Sequence, residues 1–538
     1  MSQEDELRAA PGEQTSRRSF ALERALVVGT GAALLSRTPS LVPRTAQDQA
    51  LISAGAGLMG AASGLLAEGA LAALGRGLPG GRKGAAVVLG GLAAGALAWA
   101  SARRRSRAAA AADTAGRVLL AAGPAGEVAL SAYGRLPSQQ RRDLAGKVWT
   151  TALAAATAIA ALRQKLAEPR DLVKASIRYD FLPSVSGGEA SLLPLARIDR
   201  EGRQFLGNAV PAARIETLMG GDAIDPIRVF AGLESAETPA ERARLVVAEL
   251  ERLGGLERRR ILFLCPTGSG KVNLVAAAAE ELMSRGDVAS VAVQYSHLRS
   301  VRARKHVKVA RETWRLLLEE LDRRLDELPP ERRPEVAVYG ESLGAQVVAE
   351  ALFEGGAQLL TALQIGRGAL LGVPFAGTKK LLAIRRRGEP EPEGLGVFSD
   401  LEELIGLRRE EQERLRYILF THAEDPVANF SGSRLLWERP RWLEPEGRHP
   451  RLPSGMRWLP GITFLHVLFD VKNGTSFTPQ FEAYAHDYRL ELPTLLRIAF
   501  GHADVSDEQL AAIERETAQA AVAQAEREAR ARSGPRPR

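Results

Sequence analysis

A serine flanked by glycines, in Gly340-Glu341-Ser342-Leu343-Gly344, is the pattern in this chain with the clearest chemical meaning. It follows an apolar run, Val336-Ala337-Val338-Tyr339, and precedes an alanine-rich stretch of helical composition. Strand, sharp turn and helix in that order hold a serine hydroxyl out on a strained elbow, ready to act as a nucleophile. G-x-S-x-G alone recurs by chance; the flanking strand and helix give this one its weight.

Such a serine needs a base to take its proton and a carboxylate to hold that base in the right tautomer. On a nucleophile elbow the three follow the chain order Ser, acid, His. Downstream, the strand-like run 417–422 (YILFTH) leads into Ala423-Glu424-Asp425-Pro426. Asp425 is the expected acid, with Glu424 as the fallback and a turn-capping aspartate as the plainer alternative. Among later histidines, His466 lies in an apolar run and reads as a satisfied core residue. His449 sits in a Pro/Arg-rich loop and His502 near the tail. His486, in Tyr484-Ala485-His486-Asp487-Tyr488, follows the turn-rich Asn473-Gly474-Thr475-Ser476 and is the expected base.

The oxyanion of acyl transfer needs two pre-aimed backbone N–H groups. One is expected from Leu343, the other from Thr267 or Gly268 in the small-residue turn after 260–265 (RILFLC). That turn also resembles part of a phosphate-binding loop, G-x-x-x-x-G-K-[ST]. Cys265 stands where its first glycine belongs and Val272 where its metal-binding hydroxyl belongs, so nucleotide binding is not expected. Cys265 reads as a small buried apolar residue, and Arg385-Arg386-Arg387 as a solvated loop. The histidines are scattered, so neither a metal nor another cofactor is expected.

The elements that must position these groups run from about residue 222. Strand candidates are 227–230, 260–265, 290–295, 336–340, 359–366, 417–422 and 462–469, with helices near 238–253, 273–285, 304–327 and 344–355. Strands alternating with helices imply an α/β fold, a mostly parallel sheet covered on both faces. Residues 178–221 read as an irregular linker, 222–505 as the catalytic domain, and 506–538 as a charged, solvated helical tail. Loops 376–415 and 430–460 are candidates for a lid.

The first third is different. Residues 1–176 carry 22 basic and 12 acidic side chains, against 50 and 52 in the rest, so the surplus of ten lies there. It flanks four apolar stretches, 25–36, 50–75, 84–102 and 148–162, the third closed by Arg103, Arg104, Arg105 and Arg107. A bilayer needs about 20 apolar residues per helix, which the second and third supply. Arginines beside apolar runs read as membrane-surface anchors, and with no basic stripe interleaved with aromatics, nucleic acid is not an expected partner. The glycines and alanines suit close helix packing in lipid, and Glu68 interrupts the second stretch. Ser16-Arg17-Arg18-Ser19-Phe20 leaves a twin-arginine export signal as an alternative for the first. A positive-inside count is tied at eleven basic residues on each side and sets no orientation.

Several further motifs accompany the elbow: Pro39-Ser40-Leu41-Val42-Pro43-Arg44, Gly232-Leu233-Glu234-Ser235-Ala236, Pro266-Thr267-Gly268, Gln294-Tyr295-Ser296 and Asp425-Pro426. In combination they resemble the bacterial α/β-hydrolase-like membrane proteins, in which a four-span N-terminal domain precedes a hydrolase domain. The resemblance implies an α/β-hydrolase fold, a segment 1–24 ahead of a helical membrane domain over 25–177, and a multi-pass place in the bacterial inner membrane. It also implies a serine hydrolase of unassigned substrate with a Ser342, Asp425 and His486 triad; a place beside the lipid bilayer, by itself, makes an acyl ester or lipid the expected substrate. The chain departs from the family at Lys271, where an aromatic residue is usual. A non-catalytic membrane scaffold with the same fold is the alternative function.

Overall fold

The computed structural model describes residues 25–75, 179–298, 306–352, 356–375, 391–436, 438–446, 448–474 and 485–533. The chain divides into two compact units, one holding 1–165 with 430–473, the other 166–429 with 474–538.

The larger unit is built on a seven-stranded sheet: β1 (Ile227–Ala231), β2 (Arg260–Cys265), β3 (Val288–Val293), β4 (Glu335–Glu341), β5 (Ile365–Leu371), β6 (Leu395–Phe398) and β7 (Tyr417–Phe420). The order is β1-β3-β2-β4-β5-β7-β6, and every pairing is parallel. A parallel sheet is buried on both faces, and β1, β2 and β3 are accordingly buried along their whole lengths. Alternate side chains feed two cores. Val229, Phe263, Val291 and Val338 pack with Trp314 and Leu317, while Phe230, Leu262, Leu264 and Tyr339 face Ala277, Leu496 and Ile513.

From β2 the chain moves to β3 on one side, and from β4 to β5 on the other. The C-terminal ends of β2 and β4 therefore flank a topological switch point, where open α/β sheets place their ligands.

Several elements differ from expectation. Residues 462–469 are not a strand but part of the helix Ile462–Gly474. Its buried residues, Ile462, Thr463, Leu465, His466, Val467, Phe469 and Asp470, fall in pairs and triplets three to four residues apart, a helical period and not the alternation of a strand. The run 359–366 is divided between a helix, Gly356–Ala362, and β5, which starts only at Ile365. β6 was not anticipated and lies within the expected lid loop 376–415, whose residues 376–390 fall outside the described set. The expected linker contains two helices, Arg200–Leu206 and Ala212–Met219. The tail is one helix, Asp507–Ser533, with Ile513 and Thr517 buried, so part of it is core, not solvated surface.

The smaller unit contains helices at 25–35, Ala46–Gly75 and Ile462–Gly474. The first two cross at small residues: a Cβ on Gly29 would lie 2.6 Å from the Gly57 carbonyl oxygen, and one on Gly60 2.8 Å from that of Val28. Ile52 and Ala56 pack on Ile462, Leu465 and Phe469. His466 is buried, as expected of a satisfied core histidine, with Nε2 2.9 Å from the Ser36 carbonyl oxygen. Among the described residues no helix is long and apolar enough to cross a membrane. The apolar stretches 84–102 and 148–162, and the side chain of Glu68, lie outside the described residues.

Candidate active site

β4 ends in Glu341, and Leu343 opens the helix Leu343–Ala351, so a single residue makes the turn. That residue, Ser342, has φ 56° and ψ −124°, a conformation costly for any side chain bearing a Cβ. Its N–H donates to the Leu371 carbonyl at the end of β5 (2.9 Å), which ties the elbow to the sheet. The two glycines are required by close approach. A Cβ on Gly340 would stand 2.8 Å from the Ala345 backbone, and one on Gly344 2.3 Å from the Cys265 carbonyl oxygen. The start of the elbow helix thus lies directly against the end of β2 and the first residue of the loop that follows it.

In that loop the Thr267 N–H donates to the Lys271 carbonyl (2.9 Å) and the Gly270 N–H to the Thr267 carbonyl (2.9 Å). The Thr267 amide is engaged inside the turn, so of the two expected second oxyanion donors Gly268 is the one this hydrogen bond leaves available. The turn is braced from outside. Gln294 Nε2 reaches the Ser269 carbonyl (3.2 Å) and Asp199 (2.6 Å), while its Oε1 accepts from the Leu233 N–H (3.2 Å). The motifs around Gly232, Pro266 and Gln294 therefore meet at one rim.

Asp425 follows β7, fully buried, one residue before the short helix Pro426–Asn429. Its Oδ1 accepts from the Val427 N–H (2.7 Å). Its Oδ2 accepts from His486 Nδ1 at 2.7 Å and from the Tyr488 hydroxyl. Burial alone would raise the Asp425 carboxyl; the His486 charge and these hydrogen bonds outweigh it and hold the group below the usual carboxylate range. Burial would likewise lower His486, but the Asp425 charge and hydrogen bond, then the charges of Glu341 and Asp487, raise it above its ordinary value. His486 Nε2 is buried with no hydrogen-bond partner among the described residues.

Gly372 makes room for this ring. A Cβ there would lie 2.8 Å from His486 Cε1 and 2.7 Å from Tyr488 Cε2, and its φ of +58° suits glycine. Gly372 directly follows Leu371, the backbone partner of Ser342, so the imidazole packs beside the elbow. Asp425 and His486 are in direct contact, and Ser342 stands on the adjoining strand end.

Sequence reasoning missed four residues here. Tyr488 shares the Asp425 carboxylate; Gly372 seats the ring; His422 and Glu491 form a buried pair behind it, Nε2 to Oε2 2.5 Å. A glycine closing an apolar strand was the available signal for Gly372. His422 was passed over because it precedes the acid in the chain. Glu341 also accepts from Asn273 Nδ2 (2.5 Å) and the Tyr339 hydroxyl (2.8 Å), linking the elbow to the end of the loop that follows β2.

Cys265 is buried, and burial drives its thiol well above the usual range. Among the described residues no group of acidic, histidine or cysteine side chains could hold a metal ion. A family model for the alpha/beta-hydrolase family matches residues 227–513. No curated protein and no solved structure matches the chain.

Proposed function

This chain belongs to the alpha/beta-hydrolase family, and from that premise we propose that it is a serine hydrolase that cleaves a carboxylic ester or thioester through an acyl-enzyme. Ser342 Oγ attacks the acyl carbonyl while His486 Nε2 takes its proton. Asp425 holds Nδ1–H, so Nε2 is the basic nitrogen. The Leu343 and Gly268 amides donate to the oxyanion. His486 then protonates the departing alkoxide or thiolate, and the same nitrogen activates the water that releases the acid. The observation carrying this reading is the His486–Asp425 pair, with its Nε2 unpartnered among the described residues, beside a serine held at φ 56°.

The substrate class follows from the N-terminal third. Apolar stretches with basic flanks, and glycines that let two helices touch at Gly29 and Gly57, support a unit held in the bacterial inner membrane, and with it an acyl-lipid substrate. Retention of the full chain in carbonate-washed membranes tests the anchoring. For the chemistry, turnover of p-nitrophenyl butyrate should leave an acyl adduct on Ser342 detectable by mass spectrometry of an acid-quenched digest. A folded chain that neither turns the ester over nor acquires the adduct is instead a hydrolase-shaped scaffold.

A further inference from the structure

Behind the triad lies a second imidazole–carboxylate pair that it does not use. His422 and Glu491 are both buried, and His422 Nε2 is 2.5 Å from Glu491 Oε2. The other ring nitrogen, Nδ1, is 3.0 Å from the Ala485 carbonyl oxygen. A carbonyl only accepts, so Nδ1 carries a proton and donates.

Ala485 is the residue just before His486, and it holds φ at +58°. Only four described residues other than glycine have positive φ, and two of them are Ser342 and Ala485. An alanine resists this left-handed conformation, because its Cβ crowds the following carbonyl. The His422 ring also stacks on Tyr488, centroids 4.5 Å apart and planes 17° from parallel. Tyr488 in turn donates to Asp425.

We infer that His422, braced by Glu491, is a positioning residue that pins the strained Ala485 peptide and, through Tyr488, the acid, so that the His486 ring is presented to Ser342. The assignment rests on the triad reading above. It gives the pair a task that burial alone does not, since two apolar side chains would fill the same space without desolvating charge. Burial disfavours the charged ring of His422, but the Glu491 hydrogen bond and charge, with the Ala485 carbonyl, outweigh it and keep both nitrogens protonated over a wider range. The carbonyl is thereby held without interruption.

The test uses the full chain and an alkyl fluorophosphonate, comparing the limiting inactivation rate with the half-saturating probe concentration. His422→Gln is expected to lower the limiting rate by about 10- to 100-fold, the cost of a small misplacement of a reacting group, and to leave the half-saturating concentration unchanged. His422→Leu/Glu491→Leu, which leaves no lone buried charge and should unfold cooperatively, is expected to show the same loss. Adding Ala485→Gly to either should restore rate, since glycine adopts the left-handed backbone without strain. A folded double-leucine variant that reacts at the wild-type rate overturns the assignment, as does a loss that Ala485→Gly deepens or leaves untouched. A wild type that does not react at all would instead sink the hydrolase reading itself, and this assignment with it.

Discussion

Both ends of the central sheet bury charge, and they do so in opposite ways. At the N-terminal ends of the strands, Arg228 grips Glu281 through two hydrogen bonds, 2.5 and 2.8 Å, with both side chains fully buried. Beside it Arg260 bonds Glu280, Glu335 (3.0 Å) and His502 (2.9 Å). At the C-terminal ends, Asp425, His486, Tyr488, His422 and Glu491 form a cluster with no arginine among them. An imidazole nitrogen without a partner among the described residues occurs at both ends, Nδ1 of His502 and Nε2 of His486, so that feature alone does not mark a site. The difference lies in what the paired carboxylate also faces. Glu280 is neutralised by a fixed guanidinium, whereas Asp425 faces a proton-carrying ring, a hydroxyl and backbone amides, with no fixed positive charge bonded to it. One arrangement stores its charges permanently; the other leaves a proton free to move.

That contrast is open to direct challenge, the largest effect first. Asp425→Asn should leave the fold intact yet reduce ester turnover by roughly 10⁴-fold, as loss of the tautomer-fixing acid does elsewhere. In the wild type, turnover should rise with pH as His486 loses its proton, at a pH above the ordinary imidazole value of 6.5 because Asp425 favours the charged ring. Without that negative charge the limb should move to lower pH, measured as kcat/KM against pH; a limb that stays in place would separate His486 from Asp425.

Arg260→Leu should act on stability instead. It removes the guanidinium that Glu280 and Glu335 share, leaving Glu280 with His502 (2.8 Å) and Glu335 with Arg367 (2.9 Å), at a cost of about 3 kcal/mol in urea unfolding, with the residual folded fraction still reactive. The sign of the pH dependence differs too. The Glu280 carboxyl is held at about 2 against an ordinary 4.5, so its stabilisation is complete above pH 4.5 and fades as pH falls toward 2. Glu280→Gln should flatten that acid limb of an unfolding series. Gly372→Ala, whose Cβ meets His486 and Tyr488, should cost about 10- to 100-fold in acylation rate while altering the base of the sheet not at all. Smallest, Cys265→Ala should leave acylation unchanged, and the wild-type thiol, buried and raised, should resist iodoacetamide until the chain unfolds.

Much of the rim was legible because local chemistry demanded it. The run 260–265 is strand to the residue, since six apolar or packed positions are bounded by charge on one side and proline on the other. The strained turn at Ser342, and Asp425 and His486 as residues that the fold brings into contact, could be picked out from types and order alone. What escaped depended on tertiary partners. The apolar run at 462–469 has no alternation to tell strand from helix, and its helical burial emerges only against Ile52 and Ala56. β6, only four residues long and flanked by charge, carries too weak a pattern. His422 and Glu491 are 69 residues apart, and nothing in either neighbourhood announces the other.

The most direct test is activity-based labelling of the full chain with a fluorophosphonate, wild type beside Ser342→Ala and His486→Ala. The account predicts covalent modification of the wild type at Ser342 and none of either variant, with all three equally folded. A folded wild type that resists the probe, or a Ser342→Ala chain that is labelled as fast, would contradict it.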